Sequence, residues 1–259
     1  MNYLSELLVG NIVENETSDI IKIRNNLKDT IDNFCIELLD LDLENSKQRL
    51  LAPFYARTIL EASMTILLLR VDPFRIMSIY KVQSSSKYDV TKKSNVALLW
   101  TGDVIAASRA KDDIWNPENK VSDFDRALLG KHWGELLWIP SLTKIQDYIA
   151  ENTIESIWLS NFLSEEATAY YERIKTDSMK LFSFFSKGIH YEFLIDIEST
   201  YDKLTMQNNL YSMFQKLSLL ALVSHFDSIV NHNLNKEDSI NLYLNVEEEI
   251  ERWYTRMRP

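Results

Sequence analysis

The sequence predicts an all-α protein, a multi-helix bundle of about nine or ten helices with no significant sheet. Glycine and proline occur only five times each in 259 residues, whereas sheet-rich folds use more of these turn-forming residues. Apolar residues recur every three or four positions through most of the chain, which is the spacing of one face of a helix. No segment shows the alternation of apolar and polar residues that is typical of a half-buried strand.

The first part of the chain contains three predicted helices with recognisable ends. Apolar residues between Ser18 and Leu41 follow the helical spacing, with charged residues between them. Pro53 fits the first turn of a second helix, which extends to about Arg70. Proline lacks a backbone N–H group, and in the first turn of a helix that group would have no partner within the helix. The Asp72-Pro73 pair ends that helix, and a third is predicted over residues 74–82.

Two polar segments in the middle of the chain, Gln83 to Asn95 and Lys111 to Ser122, are predicted to be loops. The segment between them, from Val96 to Ala107, is apolar and is predicted to be helical. Ser122 has the side chain of an N-cap, so a further helix is predicted from Asp123 to about Trp133.

The last part of the chain is predicted to be helical almost throughout. Pro140 begins a short helix, and a helical pattern with a break near Ser164 covers residues 153–193. Another long helix is predicted over residues 200–226, and Asn235 caps a final helix that ends near Met257. Because no Gly- or Pro-rich linker divides the chain, the prediction is a single helical domain over residues 1–259, with 1–110 and 122–259 as its possible halves.

Composition restricts the function classes. The net charge of −10 excludes nonspecific electrostatic binding of nucleic acid by the chain as a whole. Binding by a local basic patch is still possible. Cys35 is the only cysteine, so no internal disulfide and no Cys-based zinc site is expected, and a cytoplasmic location is predicted. Residues 1–10 do not resemble a signal peptide, and no run of 18 apolar residues predicts a membrane span. No metal site and no cofactor are expected, because no binding motif for either is present.

The segment from Ser186 to Glu192 is the first candidate site, because a lysine, a histidine and a glutamate lie close together in it. Lys187 and His190 are three residues apart and so share a helix face. A cation beside an imidazole attracts phosphate, and a histidine next to a phosphate can transfer protons during phosphodiester cleavage. The alternative is that His190 is a half-buried histidine bonded to a neighbouring helix.

Arg57 and Glu61 form the second candidate site. They are the only charged residues between Phe54 and Leu69, and their i,i+4 spacing allows them to pair on one helix face. They could position His190 from across the core, or they could be a purely structural ion pair.

A basic segment is the third candidate site. The segment from Arg70 to Lys93 contains six basic and two acidic residues, with aromatic residues between them, although the whole chain is acidic. Such a segment can hold a nucleic-acid backbone and stack bases, and the alternative is an ordinary solvated loop. The candidate nucleic-acid-binding residues are Arg70, Arg75, Lys81, Lys87, Lys92 and Lys93.

The aromatic helix that ends near His190, preceded by a helix with the Arg57-x-x-x-Glu61 pattern, resembles the HEPN superfamily. This superfamily comprises helical proteins of bacterial antiphage defence and toxin–antitoxin systems, and its active members are metal-independent ribonucleases that work as dimers. The family hallmark is an arginine four to six residues before the histidine. No arginine occupies positions 184–186 here, and the nearest cation is Lys187.

The sequence supports three hypotheses about function. In the first, a HEPN-like protein acts mainly through a protein partner or as a homodimer, as a subunit of a bacterial defence or toxin–antitoxin system. In the second, the chain is a metal-independent endoribonuclease that binds RNA, with His190 as acid and base, Lys187 as phosphate cation, and Arg57 with Glu61 as the supporting pair. In the third, the chain is a non-catalytic structural or regulatory scaffold.

Overall fold

A computed structural model describes residues 2–11, 17–92, 96–107, 113–190, 196 and 201–257. Of the described residues 72% are helical and none forms a strand, so the predicted all-α multi-helix bundle is confirmed. None of the helices described is both long enough and apolar enough to cross a membrane. The main helices are α1 (Tyr3–Val9), α2 (Ser18–Leu39), α3 (Ala52–Val71), α4 (Pro73–Gln83), α5 (Ile139–Asn152), α6 (Ile157–Leu163), α7 (Ala167–Lys187), α8 (Lys203–Val223) and α9 (Lys236–Met257).

Helix α3 is the central element of the bundle. Most of its residues are buried, and it packs against α1, α2, α4, α7 and α8. A helix that is apolar on all sides is stable only when other elements surround it. Arg57 and Glu61 are partly exposed and mark the one edge of α3 that reaches the surface near its start.

The helix ends follow the predicted signals in several places. Pro53 lies in the first turn of α3, and Asp72 accepts a hydrogen bond from the backbone of Arg75 at the start of α4. The side chain of Asn235 accepts from the N–H of Asp238 at 2.8 Å, which caps α9. These caps satisfy N–H groups that have no partner within the helix.

The helix predicted from Val96 to Ala107 is wrong. Only a wide turn is present, Trp100–Val104, in which Gly102 has a φ of 115°. The chain leaves the turn in an extended conformation at Ile105. The last residues of the turn pair with a distant segment: Leu128 N donates to Asp103 O and Leu129 N to Val104 O, both at 2.8 Å. The two segments satisfy each other's backbone groups, so an apolar run of this length did not need to become a helix.

The helix predicted from Asp123 to Trp133 is wrong as well. A single 3-10 turn, Val121–Asp123, is followed by irregular chain up to Gly130. Helical structure resumes only in the short turn Lys131–Trp133 and continues through the wide turn Gly134–Trp138 into α5. The last residues of the irregular part are buried, and they supply the backbone partners of the 103–104 segment.

One hydrophobic cluster contains buried residues from α1 through α9. Trp138 and Trp253 are almost wholly buried in it, and Trp138 Nε1 donates to the carbonyl of Leu128 at 2.6 Å. The single-domain organisation stays a prediction, and this shared core, which joins residues from both possible halves, supports it.

Candidate functional site

His190 lies just beyond the end of α7, on an exposed turn. The carbonyl of Ser186 accepts hydrogen bonds from the N–H groups of Ile189 and His190, both at 3.1 Å. Gly188 brings this turn against the start of α3, because a Cβ at position 188 would lie only 2.5 Å from Cβ of Pro53. A larger residue would push the turn away, so the glycine permits His190 to approach α3.

Arg57 connects this turn to α3. Its Nη1 lies 3.5 Å from Nε2 of His190, although 133 positions separate the two residues. Its Nε donates to Glu61 Oε1 at 3.1 Å. Since a guanidinium can only donate, a hydrogen bond between the two side chains requires Nε2 of His190 to be the acceptor. The structure therefore brings together three of the predicted catalytic residues, His190, Arg57 and Glu61.

Aromatic rings pack against the Arg57 guanidinium. Its central carbon lies 4.9 Å from the ring centroid of Phe182, and Phe182 stacks on Trp100 with centroids 4.1 Å apart and ring planes 5° apart. A cation above an aromatic face is stabilised by the ring quadrupole. Phe182 belongs to the aromatic helix that the sequence predicts, whereas Trp100 comes from the misassigned segment 96–107, and no sequence pattern pointed to it.

Lys187, the fourth predicted catalytic residue, is the last residue of α7 and is exposed. Within the described residues it forms no ion pair, whereas Arg57 is paired with Glu61. It adds a solvated positive charge within one turn of His190. Residues 191 and 192 of the predicted segment lie outside the described residues.

The prediction for Arg70 is corrected, because its side chain is fully buried and cannot contact nucleic acid. It donates to the carbonyls of Leu8 and Asn231, both at 3.0 Å, and to Ser224 Oγ at 2.7 Å. Two further bonds, both 3.0 Å, reach His225 Nδ1 and Asn233 Oδ1. Arg70 therefore ties the end of α3 to α1 and to the chain that follows α8.

Burial affects the protonation of both ionisable groups in this network. Burial, with the nearby charge of Arg24, lowers the pKa of Arg70 to about 9, so it remains charged at neutral pH. Burial and the charge of Arg70 lower the pKa of His225 to about 3. His225 is therefore neutral, and it is placed to donate from Nε2 to the carbonyl of Leu7 at 2.7 Å.

Arg75 and Lys81 are occupied by acidic partners. Arg75 is only 14% exposed and pairs with Asp72 at 3.3 Å and with Asp103 at 3.1 Å. Lys81 is 65% exposed and bonds to Asp19 of α2. Arg75 is thus a structural link between α4 and the turn near Gly102, which is a second departure from the predicted basic patch.

The remaining lysines of the basic segment lie on the surface. Lys87 and Lys92 line a shallow pocket of about 500 Å³ together with Lys81 and Tyr88. Lys93 lies outside the described residues. This pocket follows α4, and about 24 Å of α3 separates Arg57 from the start of α4 at 1.5 Å per residue. The surface lysines and the His190 site are therefore two separate places.

The described residues contain no group of three or more His, Cys, Asp or Glu side chains that could hold a metal ion. The His190 site contains an exposed imidazole, a guanidinium bonded to Glu61 and packed on Phe182, and an exposed lysine. Such a set can bind an anionic oxygen and exchange a proton with a group beside it.

Comparison of the chain with protein-family models, with curated proteins and with solved structures gives no match. The resemblance to the HEPN superfamily therefore stays a prediction, and the functional proposal for this chain is based on the geometry of the His190 site.

Proposed function

We propose that the chain is an endoribonuclease that cleaves RNA at the Arg57–His190 site without using a metal ion. The observation that supports this proposal is the 3.5 Å approach of Arg57 Nη1 to His190 Nε2 on an exposed surface. A cation beside an imidazole suits a reaction in which a proton leaves a hydroxyl while negative charge develops on a phosphate.

The site favours a phosphate although the chain as a whole is acidic. Among the described residues of the site, Arg57 and Lys187 supply two positive charges and Glu61 one negative charge, in a chain of net charge −10. Glu61 holds only Nε of the guanidinium, and Nη1 is directed at the surface turn. A non-bridging phosphate oxygen can therefore replace His190 as the partner of Nη1.

Replacement of that contact frees the imidazole for proton transfer. Nε2 of His190 then accepts the proton of a ribose 2′-hydroxyl, and the 2′-oxygen attacks the adjacent phosphorus. The bond from phosphorus to the 5′-oxygen breaks, and the leaving oxygen takes a proton from the imidazolium or from water. The products are a 2′,3′-cyclic phosphate and a 5′-hydroxyl end, so DNA, which lacks the 2′-hydroxyl, is not a substrate.

The other side chains of the site hold Arg57 in place for this reaction. Glu61 binds its Nε, and the guanidinium carbon lies over the ring of Phe182, 4.9 Å from its centroid. Lysine cannot reproduce this arrangement, because an ammonium has no planar fork to stack and bind in two directions. Arg57→Lys is therefore expected to lose most of the activity although the charge is kept.

The experiment measures cleavage of a labelled single-stranded RNA in the presence of EDTA. His190→Asn is expected to lower the rate by about 10²–10⁴, the usual contribution of a general acid or base. Lys187→Ala is expected to weaken RNA binding more than its matched control Lys180→Ala, which removes a 74% exposed lysine from the same helix.

The result that would refute the proposal is cleavage by His190→Asn at the rate of the unmodified chain, with helical content unchanged. RNA binding without any cleavage by the unmodified chain would also refute it, and would reduce the site to a phosphate-binding surface. Cleavage of a matched DNA at the same rate would contradict the 2′-hydroxyl mechanism.

A further inference from the structure

A groove of about 900 Å³ lies between α6 and α9, away from the residues of the His190 site. Its apolar lining consists of Ile154, Ile157, Leu163 and Leu244. Ile157 is 67% exposed and Leu163 is 41% exposed, although both belong to a helix whose other apolar side chains are buried. Large exposed apolar side chains that line one groove are typical of an interaction surface.

The exposed position of Ile157 is enforced by its backbone. The buried carboxylate of Glu247 accepts hydrogen bonds from Ile157 N at 2.6 Å and Trp158 N at 3.1 Å, and Ser156 Oγ donates to it at 2.5 Å. This carboxylate caps the start of α6 and fixes α6 against α9. The start of α6 is thus held in place on the groove side, and Ile157 cannot turn inward without breaking the cap.

The rim of the groove is acidic. Four glutamates line the groove, of which Glu247 is buried as the cap of α6, and Arg252 is the one cation among the lining residues. Arg252 already faces Glu248 at 3.8 Å, and Glu248 is itself 67% exposed. Glu251 accepts a hydrogen bond from Trp158 Nε1 at 2.7 Å, so its carboxylate is held in place. The groove therefore presents an apolar floor and a rim of net negative charge.

We propose that this groove binds an amphipathic helix of a partner protein, with apolar residues on one face and lysine or arginine on the flanks. The apolar floor takes side chains spaced at i, i+3 or i+4 and i+7, and the glutamates pair with the flanking cations. The acidic rim repels a phosphate backbone, so nucleic acid is not the occupant. A second copy of this acidic chain, with net charge −10, is disfavoured for the same reason.

The geometry suits a helix laid along the groove. Ile157, Ser160 and Leu163 are three residues apart along α6, so they line its outer side over about 9 Å at 1.5 Å per residue. Leu244 and Glu248 are one turn apart on α9 and form the opposite wall. This surface accommodates about two turns of a partner helix between the two walls.

The test uses a fluorescent 18-residue peptide of leucine and lysine, patterned as an amphipathic helix, titrated against the full chain by anisotropy. A peptide of the same composition with its pattern scrambled serves as the first control. The patterned peptide is expected to bind at least tenfold more tightly than the scrambled one. The double variant Ile157→Ser with Leu163→Ser is expected to weaken binding by about tenfold or more, because both apolar anchors are removed.

Matched variants separate the groove from general surface effects. Phe74→Ser removes a 77% exposed apolar side chain outside the groove and is expected to leave binding unchanged. Glu248→Lys is expected to weaken binding severalfold and to reduce its dependence on salt. Glu37→Lys makes the same charge change on the exposed side of α2 and should have a much smaller effect.

Three outcomes would overturn the proposal. The first is that the patterned peptide does not bind. The second is that the two peptides bind equally, or that the Phe74 variant loses as much affinity for the patterned peptide as the groove variants do. The third is an oligomer of the unmodified chain that the double groove variant converts to monomer, which would make a second copy the occupant. None of these outcomes depends on RNA cleavage, so the groove and the His190 site are tested independently.

Discussion

Replacement of Arg70 by methionine is expected to lower the free energy of unfolding by about 3–5 kcal/mol. Methionine has a similar length and fills the same space, so the change removes mainly the guanidinium. That group is fully buried and donates to five acceptors at 2.7–3.0 Å. Each buried acceptor left without a donor costs about 1–3 kcal/mol.

The magnitude depends on how many of the five acceptors find another partner. The Ser224 hydroxyl already donates to the carbonyl of Ala221, and His225 Nδ1 still accepts from Leu234 N at 3.1 Å. The carbonyls of Leu8 and Asn231 lose a charged donor in the core. If the penalty falls on two or three acceptors, the sum is about 3–5 kcal/mol, partly offset because the charge no longer has to be buried.

Urea denaturation followed by far-ultraviolet circular dichroism measures this loss. Lys87→Met is the control, since it makes a comparable change at an exposed residue of the same predicted basic segment and should cost less than about 0.5 kcal/mol. A loss below about 1 kcal/mol for Arg70→Met would refute the structural role. Weaker RNA binding by a fully stable Arg70→Met chain would restore the assignment of Arg70 to nucleic acid.

Three further predictions concern stability. The pKa of His225 lies near 3 in the folded chain against 6.5 as its ordinary value, so the unfolded state takes up the proton first. Stability is therefore expected to fall as pH drops from 6.5 toward 3, by up to about 1.4 kcal/mol per pH unit, and urea midpoints of His225→Gln should show a flatter dependence. Glu247→Ala removes the acceptor of two N–H groups at the start of α6 and should cost about 2–3 kcal/mol by the same denaturation; an unchanged midpoint would contradict the cap. Gly10 has a φ of 68°, and a Cβ there would lie 1.9 Å from the carbonyl oxygen of His232. Gly10→Ala should therefore lower the free energy of unfolding by more than about 1 kcal/mol, as measured by thermal unfolding. An unchanged stability would show that the backbone of His232 moves freely.

The helices with long apolar periodicity could be predicted from the sequence. The helix predicted over residues 18–41 is Ser18–Leu39 in the structure, and the helix predicted from Pro53 to Arg70 is Ala52–Val71. The break near Ser164 and the cap at Asn235 were also correct. In each case a local signal, such as a proline, a capping side chain or a run of helical spacing, agrees with the burial that the bundle imposes.

The segment between α4 and α5 could not be predicted in the same way. An apolar run of about a dozen residues fits a buried helix and a buried extended chain equally well. The carbonyl groups of residues 103–104 are satisfied by the N–H groups of residues 128–129 and not by a continuing helix. That pairing joins two segments far apart in the chain, and no local pattern contains it.

The sequence by itself determined the fold class, the placement of most helices, and the residue types that form the candidate site. Only the tertiary structure decided which charged residues belong together. Arg70 looked like the start of a basic patch but is buried, because α3 is surrounded by other helices over most of its length. Arg57 meets His190 because Gly188 allows the turn after α7 to lie against Pro53. The identity of a side chain is local, whereas its burial and its partners depend on segments far away in the chain.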